Sequence, residues 1–471
     1  MTHYISTRGE APRLGFSDTM LTGLARDGGL YVPEVWPRLT PATIAGFAGK
    51  PYWQVAVEVM TPFIGDDIPQ ADLVRMAQQA YAGFRHPAVV PLDQSGANQF
   101  VLELFHGPTL AFKDVAMQLL SRLMNHVLAE RGQRTTIVVA TSGDTGGAAV
   151  EAFAGLGQVD LVVLFPNGRI SDVQRRMMTT AGAANVHALA VEGTFDDCQA
   201  LVKAMFNHHA FRDQVALSGV NSINWARIVA QVVYYFTSAV ALGAPAREVE
   251  FTVPTGNFGD IFAGYVAKKM GLPIRRLRIA ANINDILART LATGSYEVRE
   301  VHATVSPSMD IQVSSNFERL LFEAAGRDTS RIRSLMASLT QSGRFDLPPE
   351  MLAEIERDFD AGRADEDETN ATIHAVWNET GDLIDPHTAV ALAVANRDAP
   401  ADAVPNIVLS TAHPAKFPDA VEAACGKRPD LPPWLDGLMT RPEAITVMKN
   451  DQREVERFVL SVSRTAKQGA A

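Results

Sequence analysis

The chain has 471 residues, of which 47% are apolar and 20% charged, and its net charge is -11. This length and composition favour two or three domains with sizeable cores, and the acidic balance argues against nucleic acid as a partner. The longest apolar run, residues 228–242, is shorter than the roughly 20 residues needed to span a bilayer. Cys198 and Cys425 show no disulfide-scaffold or metal-type spacing, and residues 1–16 lack the apolar core of a signal peptide. We therefore expect a soluble cytoplasmic protein without a metal site or a membrane partner.

In chain order, residues 1–95 predict a helix-rich N-terminal domain, and alternating apolar runs, polar loops and striped helices follow it. The predicted strands are Phe100–Phe105, Thr135–Ala140, Leu161–Phe165, His187–Val191, Val249–Val253, Ile274–Ala281 and Asn406–Ser410. This alternation is typical of an α/β fold with doubly wound parallel sheets, in which ligands bind at the carboxyl ends of the strands. The predicted domains are 1–95, a small α/β domain at 96–210, and a large α/β domain at 211–471 with an inserted helical subdomain at about 300–385.

Lys113 lies in the string HGPTLAFKD, between a predicted strand and a helix striped by Val115, Leu119, Leu123 and Val127. A lysine at a strand-to-helix turn has a poorly solvated setting, which suits an amine that must lose its charge to form a Schiff base. Taken alone, a lysine is far more often a surface charge. The loops that follow the other predicted strands favour the chemical interpretation.

The loop TGNFGD (residues 255–260) follows a strand and opens a helix. Gly256 and Gly259 allow backbone amides to converge on an anion at the helix N-terminus, which suits a phosphate. The loop SGDTGG (residues 142–147) has the same position and suits a carboxylate. TGNFGD is explained equally well as a packing turn. SGDTGG can also be a helix start capped by Ser142 or Asp144, and this role is compatible with binding a carboxylate.

Two further segments carry candidate binding groups. In NSINWAR, the side chains of Asn221, Ser222, Asn224 and Arg227 stand at the start of an apolar helix and form a candidate phosphate clamp, although such an arginine alone is more often a surface or ion-pair residue. In STAHPAKF, Thr411 offers a hydroxyl to a ring nitrogen. Lys416, in the same segment, is a rival Schiff-base lysine, rated below Lys113 because it has no partner loop.

Taken together, HGPTLAFKD, ATSGDTGG, NSINWAR, TGNFGD and STAHPAKF, with STRGE and ARDGGLYVP near the start, give the chain a resemblance to the threonine synthases, especially the longer bacterial and fungal subgroup. The resemblance covers nearly the whole chain. It implies a pyridoxal 5'-phosphate enzyme of fold type II, similar to the tryptophan synthase β subunit. The implied reaction converts O-phospho-L-homoserine and water into L-threonine and phosphate, in a monomer or homodimer.

The resemblance also implies residue roles. It makes Lys113 the Schiff-base lysine and proton shuttle, and it places Thr411 at the pyridine nitrogen. The cofactor phosphate would be held by Gly256, Asn257, Phe258, Gly259 and Asp260. The substrate phosphate would be held by Asn221, Ser222 and Arg227, and the substrate carboxylate or phosphate would lie against Thr141, Ser142 and Thr145. Asp144 departs from the wider fold type, in which many relatives have asparagine beside the cofactor's phenolic oxygen. Because a carboxylate would repel a phenolate, we do not expect Asp144 to make that contact.

Three alternatives stay open at this point. A lyase or dehydratase of the same fold would share the cofactor but release a 2-oxo acid, and the NSINWAR segment and the full-length N-terminal segment favour the synthase over it. A non-catalytic relative that binds a phosphorylated ligand is disfavoured by the presence of Lys113. A dinucleotide-dependent oxidoreductase is least favoured, since no GxGxxG motif with a downstream acidic residue follows a strand.

Overall fold

A computed structural model describes residues 2–397 and 404–468. Its strands are β1 Tyr4–Ser6, β2 Tyr31–Pro33, β3 Leu92–Gln94, β4 Gln99–Glu103, β5 Thr135–Ala140, β6 Val159–Pro166, β7 Val186–Glu192, β8 Leu217–Ser218, β9 Val249–Pro254, β10 Ile274–Ala281, β11 Ser295–Glu297, β12 Arg344–Asp346, β13 Phe359–Arg363, β14 Asn406–Ser410 and β15 Thr446–Lys449. The predicted strands are all present, with ends within two residues of the observed ones.

The helices are α1 Phe16–Thr22, α2 Pro41–Ala45, α3 Tyr52–Ile64, α4 Gln70–Tyr81, α5 Lys113–Glu130, α6 Asp144–Phe153, α7 Asp172–Thr179, α8 Phe195–Asn207, α9 His209–Gln214, α10 Trp225–Ala241, α11 Gly259–Lys269, α12 Ile286–Thr293, α13 Phe317–Ala324, α14 Thr329–Ser342, α15 Pro349–Glu356, α16 Glu366–Thr380, α17 Pro386–Arg397, α18 Pro418–Cys425, α19 Gln452–Val462 and α20 Arg464–Gln468. Short 3-10 helices lie at Pro307–Met309, Pro414–Lys416, Pro433–Leu435 and Leu438–Thr440. Among the described residues, no helix is long and apolar enough to cross a membrane.

Two parallel sheets organise the fold. The larger has the strand order β13-β10-β9-β14-β4-β3, in which only the edge strand β3 is antiparallel to its neighbour. The smaller has the order β15-β7-β6-β5-β8 and is parallel throughout. Each sheet therefore presents the carboxyl ends of its parallel strands along one edge, where the polar loops lie.

Both sheets are buried on two faces, because successive side chains along a strand point to opposite sides. In the smaller sheet, Ile137 and Val139 join the largest core cluster, whereas Val138 packs in a separate cluster with residues of α8 and α19. In the larger sheet, Ile407 joins the largest cluster and Val408 packs with residues of α17. The near-continuous apolar character of these strands follows from this two-sided burial.

Sheet membership does not follow the domain limits expected at residues 96 and 211. β4 lies in the larger sheet, between β14 and β3, although it precedes the smaller sheet in the chain. β8 and β15 lie in the smaller sheet, although they follow residue 211. The segment at 300–385 is helix-rich but not only an insertion, because its β13 pairs with β10 and completes one edge of the larger sheet. Strand pairing between distant segments leaves no local signal, so the sequence pattern misses these crossings.

Candidate active site

The loops after β4, β5, β9 and β14 meet in one cavity of about 720 Å³, which both sheets help to line. Its lining includes the predicted site residues Lys113, Thr141, Ser142, Thr145, Asn221, Ser222, Arg227, Gly256, Asn257, Phe258, Gly259, Asp260 and Thr411. Of the predicted set, Asn224 alone is absent from this lining. The structure thus brings together residues from five separate segments of the chain.

Lys113 is the first residue of α5, and only 8% of it is exposed. Its Nζ donates a hydrogen bond to Asp144 Oδ2 at 3.2 Å and lies 4.6 Å from the ring centroid of Phe112. Burial lowers the pKa of the Lys113 amine, and the charge of Asp144 opposes this shift only in part. The amine is therefore adapted to lose its proton more easily than an exposed lysine does.

The TGNFGD loop forms a closely packed candidate anion cradle. A Cβ placed on Gly256 would lie 2.7 Å from the Ser308 carbonyl oxygen, so only glycine fits between the two backbones. Ser314 Oγ donates to the Gly256 carbonyl oxygen at 2.6 Å, and Phe258 takes a left-handed φ of 63° at the N-cap of α11. The first-turn amides of α11 have no acceptor within the helix and lie at the cavity, so the loop fits the phosphate of pyridoxal phosphate.

Asp260, in the first turn of α11, has an unusual environment for a residue beside an anion. Its Oδ1 accepts hydrogen bonds from the hydroxyls of Tyr234 and Tyr235, at 2.5 Å and 3.0 Å. Its Oδ2 is buried and has no partner among the described atoms. Burial raises the pKa of this carboxyl to about 6. The carboxyl can therefore take up a proton near neutral pH, which would remove its repulsion of a neighbouring phosphate.

Arg227 lies within the first turn of α10 and is 3% exposed. Its Nη1 donates to the Val220 carbonyl oxygen at 2.9 Å, whereas its buried Nε has no partner among the described atoms. Burial lowers the pKa of Arg227 to about 10, so the guanidinium stays charged at neutral pH. An incompletely bonded, buried cation at a cavity wall is a candidate anion site, and the exposed Asn221 and half-buried Ser222 line the same cavity.

Asn224 corrects the prediction of a four-residue clamp. Its Oδ1 accepts the Ala226 amide at 3.0 Å as the N-cap of α10. Its Nδ2 donates to the carbonyl oxygens of Met20, at 2.8 Å, and Gly219, at 3.1 Å. These bonds use both hydrogens of the amide and one acceptor position of its oxygen, and Asn224 does not line the cavity. A local motif cannot separate such a cap from a ligand contact, because both uses favour asparagine at a helix start.

In the SGDTGG loop, the predicted capping by Ser142 or Asp144 is wrong. The N-cap is Gly143, and the Oγ1 of Thr141 accepts the amides of Gly143 and Gly146, both at 2.9 Å. Thr141 is thus a structural support of the loop as well as a cavity wall. Ser142 and Thr145 are half-buried at the cavity. The Asp144 carboxylate is directed instead toward lysines, which the sequence pattern did not predict.

We expected Lys416 to have no other loop as a partner. This expectation is also wrong, because Lys416 contacts Asp144 of the SGDTGG loop. It is fully buried, its Nζ lies 2.7 Å from Asp144 Oδ1, and it donates to the Thr109 carbonyl oxygen at 2.9 Å. Of the two candidate Schiff-base lysines, Lys113 lines the cavity and Lys416 does not. Thr411, at the end of β14, also lines the cavity, and its carbonyl oxygen accepts the Phe112 amide at 2.8 Å.

Sequence analysis missed three residues around Asp144. Gln174 Nε2 donates to Asp144 Oδ1 at 2.9 Å, and Ser308 Oγ lies 3.4 Å from Oδ2. The Nε2 of His387, a cavity residue, accepts the Ser308 amide at 3.2 Å, while its Nδ1 lies 2.7 Å from Asp385. Gln174 belongs to a capping box at the start of α7. Because that role explains a glutamine at this position, the sequence pattern contained no sign of its contact with Asp144.

Comparisons with known proteins agree with this geometry. Residues 88–409 match the family described as pyridoxal-phosphate dependent enzyme, residues 3–81 match threonine synthase N terminus, and residues 388–459 match threonine synthase, C-terminal. The fold and site therefore define a pyridoxal-phosphate-dependent enzyme of fold type II.

Comparisons with individual proteins identify the family within this class. Threonine synthase of Pseudomonas aeruginosa is 50% identical over 457 residues, covering 97% of both chains. The crystal structure of PLP-bound threonine synthase from Brucella melitensis has a TM-score of 0.96 at 62% identity, covering 98% of this chain and 100% of that one. The yeast threonine synthase structure has a TM-score of 0.92 at 39% identity, covering 98% of each. The chain belongs to the threonine synthase family.

Proposed function

We propose that this enzyme converts O-phospho-L-homoserine and water into L-threonine and phosphate, with Lys113 as the residue that binds pyridoxal phosphate covalently. The observation that carries the residue assignment is the position of the Lys113 amine. It is buried, its pKa is lowered by burial, and it opens into the same cavity as the anion cradle of residues 255–260. A deprotonated amine beside a phosphate site is the arrangement that capture of a phosphorylated aldehyde requires.

The cofactor contacts follow from the loops. The backbone of Gly256, Asn257, Phe258, Gly259 and Asp260 would hold its phosphate, because this cradle combines helix amides with a backbone approach open only to glycine at residue 256. Thr411 would meet its ring nitrogen with a hydroxyl, which bonds to a nitrogen without supplying a full charge. When bound, the cofactor supplies a conjugated ring that spreads the negative charge left by a departing proton.

The substrate contacts are assigned to other residues of the same cavity. Arg227, with Asn221 and Ser222, would bind the substrate phosphate, since the guanidinium is buried and incompletely bonded. Thr141, Ser142 and Thr145 would lie against the substrate carboxylate or phosphate. Asn224 would act indirectly, by fixing the start of α10 and so the position of Arg227.

Lys113 has a second proposed role in proton transfer. The reaction removes phosphate from the γ carbon, so protons must leave both the α and β carbons before water adds at the β carbon. With the substrate amine bound in its place, the Lys113 Nζ would be free to accept these protons and to donate protons to the α and γ carbons, while water supplies the hydroxyl at the β carbon. Its lowered pKa matches this role, because a general base works best when its pKa lies near the working pH.

We further propose that the enzyme acts in the cytoplasm, as a monomer or homodimer, without a nucleic-acid or membrane partner. The acidic net charge of -11 supports the absence of a nucleic-acid partner. The two widely separated cysteines, Cys198 and Cys425, support a reducing compartment.

The function is tested by incubating the purified protein with pyridoxal phosphate and O-phospho-L-homoserine, and by measuring phosphate, threonine and 2-oxobutyrate together. Equal amounts of phosphate and threonine are expected. Phosphate with 2-oxobutyrate would make the enzyme a lyase of the same fold. Lys113→Ala should lose turnover by more than about a thousandfold with the fold retained, whereas Lys50→Ala, which removes a half-buried lysine paired with Glu58 at 2.6 Å, should retain it.

A further inference from the structure

Asp144 lies between two buried lysines. Its Oδ2 accepts a hydrogen bond from Lys113 Nζ at 3.2 Å, and its Oδ1 lies 2.7 Å from Lys416 Nζ. The shorter contact thus belongs to the lysine that the reaction does not use. Burial acts to raise the pKa of Asp144, but Lys416 and then Lys113 hold it well below its usual range. Asp144 is therefore a carboxylate whose charge is shared unequally between two amines.

Lys416 is fixed in this arrangement. It is fully buried at the end of the short 3-10 helix that follows β14, and it also donates to the Thr109 carbonyl oxygen at 2.9 Å. Asp114, also close to it, is held by the amide and hydroxyl of Thr109, at 2.7 Å and 2.6 Å. The Lys416 amine is thus held against Asp144 and away from solvent.

The charge of Lys416 acts on Lys113 through Asp144 and directly. A lone buried carboxylate 3.2 Å from Lys113 would favour the ammonium form of that lysine. A carboxylate already paired with a fixed cation forms a nearly neutral unit and attracts a second cation much less. The other charged or titratable groups facing the pair are Arg227 of α10, Asp260 of α11 and His387 of α17.

We propose that Lys416 is a positioning residue that neutralises Asp144 and thereby keeps the Lys113 amine uncharged and nucleophilic near neutral pH. The proposal rests on the assignment of Lys113 as the cofactor lysine. The Asp144–Lys416 pair would then present little net charge to the cavity, which Asp144 helps to line.

The test uses the cofactor-free protein and measures how fast it captures pyridoxal phosphate covalently, by visible absorbance, as a function of pH. Only the neutral amine reacts, so the midpoint of this profile reports the pKa of Lys113. In Lys416→Met the midpoint should rise by about one pH unit, which slows capture about tenfold at pH values below the midpoint. In Asp144→Asn it should fall below that of the unaltered protein. The double variant should return close to the unaltered value, and Lys416→Arg should stay there.

Two comparisons decide the result. An unchanged midpoint in Lys416→Met would overturn the proposal. If that variant does not fold, Lys416→Gln keeps a hydrogen-bonding side chain without the charge, and an unchanged midpoint there would overturn the proposal. Lys50→Met, which removes a lysine far from the cavity, should change neither midpoint nor rate. Borohydride reduction and peptide mapping of the unaltered protein separate the two claims, since a label on a lysine other than Lys113 would refute the cofactor assignment itself.

Discussion

Among the described atoms, the guanidinium of Arg227 donates one hydrogen bond, from Nη1 to the carbonyl oxygen of Val220 at 2.9 Å, and its buried Nε has no partner. The carbonyl thus fixes the direction of the guanidinium without neutralising it. Such a buried charge is costly unless something binds it, and the cavity wall is where an anion would do so.

Replacing Arg227 tests this role. Arg227→Ala should raise KM for O-phospho-L-homoserine about a hundredfold, because a charge-assisted phosphate contact is worth roughly 2–3 kcal/mol. The visible spectrum of the bound cofactor should be unchanged. Arg131→Ala, which removes an exposed pair with Asp18 at 2.6 Å, is the control and should leave KM unaltered. Loss of the cofactor spectrum in Arg227→Ala would mean that this arginine serves the cofactor instead.

The cradle at Gly256 can be tested by adding one methyl group. In Gly256→Ala the new Cβ would lie 2.7 Å from the Ser308 carbonyl oxygen, so one of the two backbones must move. We expect pyridoxal phosphate affinity to fall at least tenfold, as measured by absorbance titration of the cofactor-free protein. Gly157→Ala, where no atom lies within 4 Å of the added Cβ, is the matched control. Equal affinities for the two variants would show that the cradle does not hold the cofactor.

Asp260 predicts a pH dependence of cofactor binding. Burial raises the pKa of its carboxyl to about 6, and a nearby phosphate would favour the protonated form further. Binding should therefore take up a proton above pH 6, and the affinity should weaken between pH 6 and 8 as the free carboxyl ionises. Asp260→Asn, which is neutral throughout, should flatten this dependence. Calorimetry in buffers of different ionisation enthalpy measures the proton uptake directly, and an equal uptake in the variant would contradict the assignment.

Asn224 and Asn221 form a contrasting pair. Asn224→Ala removes a helix cap and two further buried hydrogen bonds, so the free energy of unfolding should fall by about 2–3 kcal/mol. Asn221→Ala, at an exposed cavity position, should raise KM and leave the free energy of unfolding within about 0.5 kcal/mol. Urea denaturation and steady-state kinetics measure both quantities. A raised KM with an unchanged free energy of unfolding in Asn224→Ala would instead mean that Asn224 binds the substrate.

The sequence was sufficient to predict those parts of the fold and site whose pattern lies within one continuous stretch of the chain. A buried strand followed by a Gly- or Ser-containing loop and a striped helix is visible within one stretch of chain, which is why the cradle at Gly256 and the amine of Lys113 were predicted at the correct edge of the sheets. The contact of Lys416 with Asp144 joins segments that no local pattern relates. The prediction that Asn224 belongs to the phosphate clamp was wrong for a different reason, because a helix cap and a ligand contact both favour asparagine at a helix start.

The strand order of the larger sheet also has a consequence for how the chain folds while the ribosome synthesises it. β14 fills the space between β4 and β9, yet it follows both in the chain. During synthesis the two earlier strands emerge long before their common neighbour, and their unpaired edges stay available to other chains until residue 410 has left the ribosome. A nascent or truncated chain ending before β14 should thus require chaperone protection, and the lysine at the start of α5 reaches its final surroundings only after β14 and Lys416 have been synthesised.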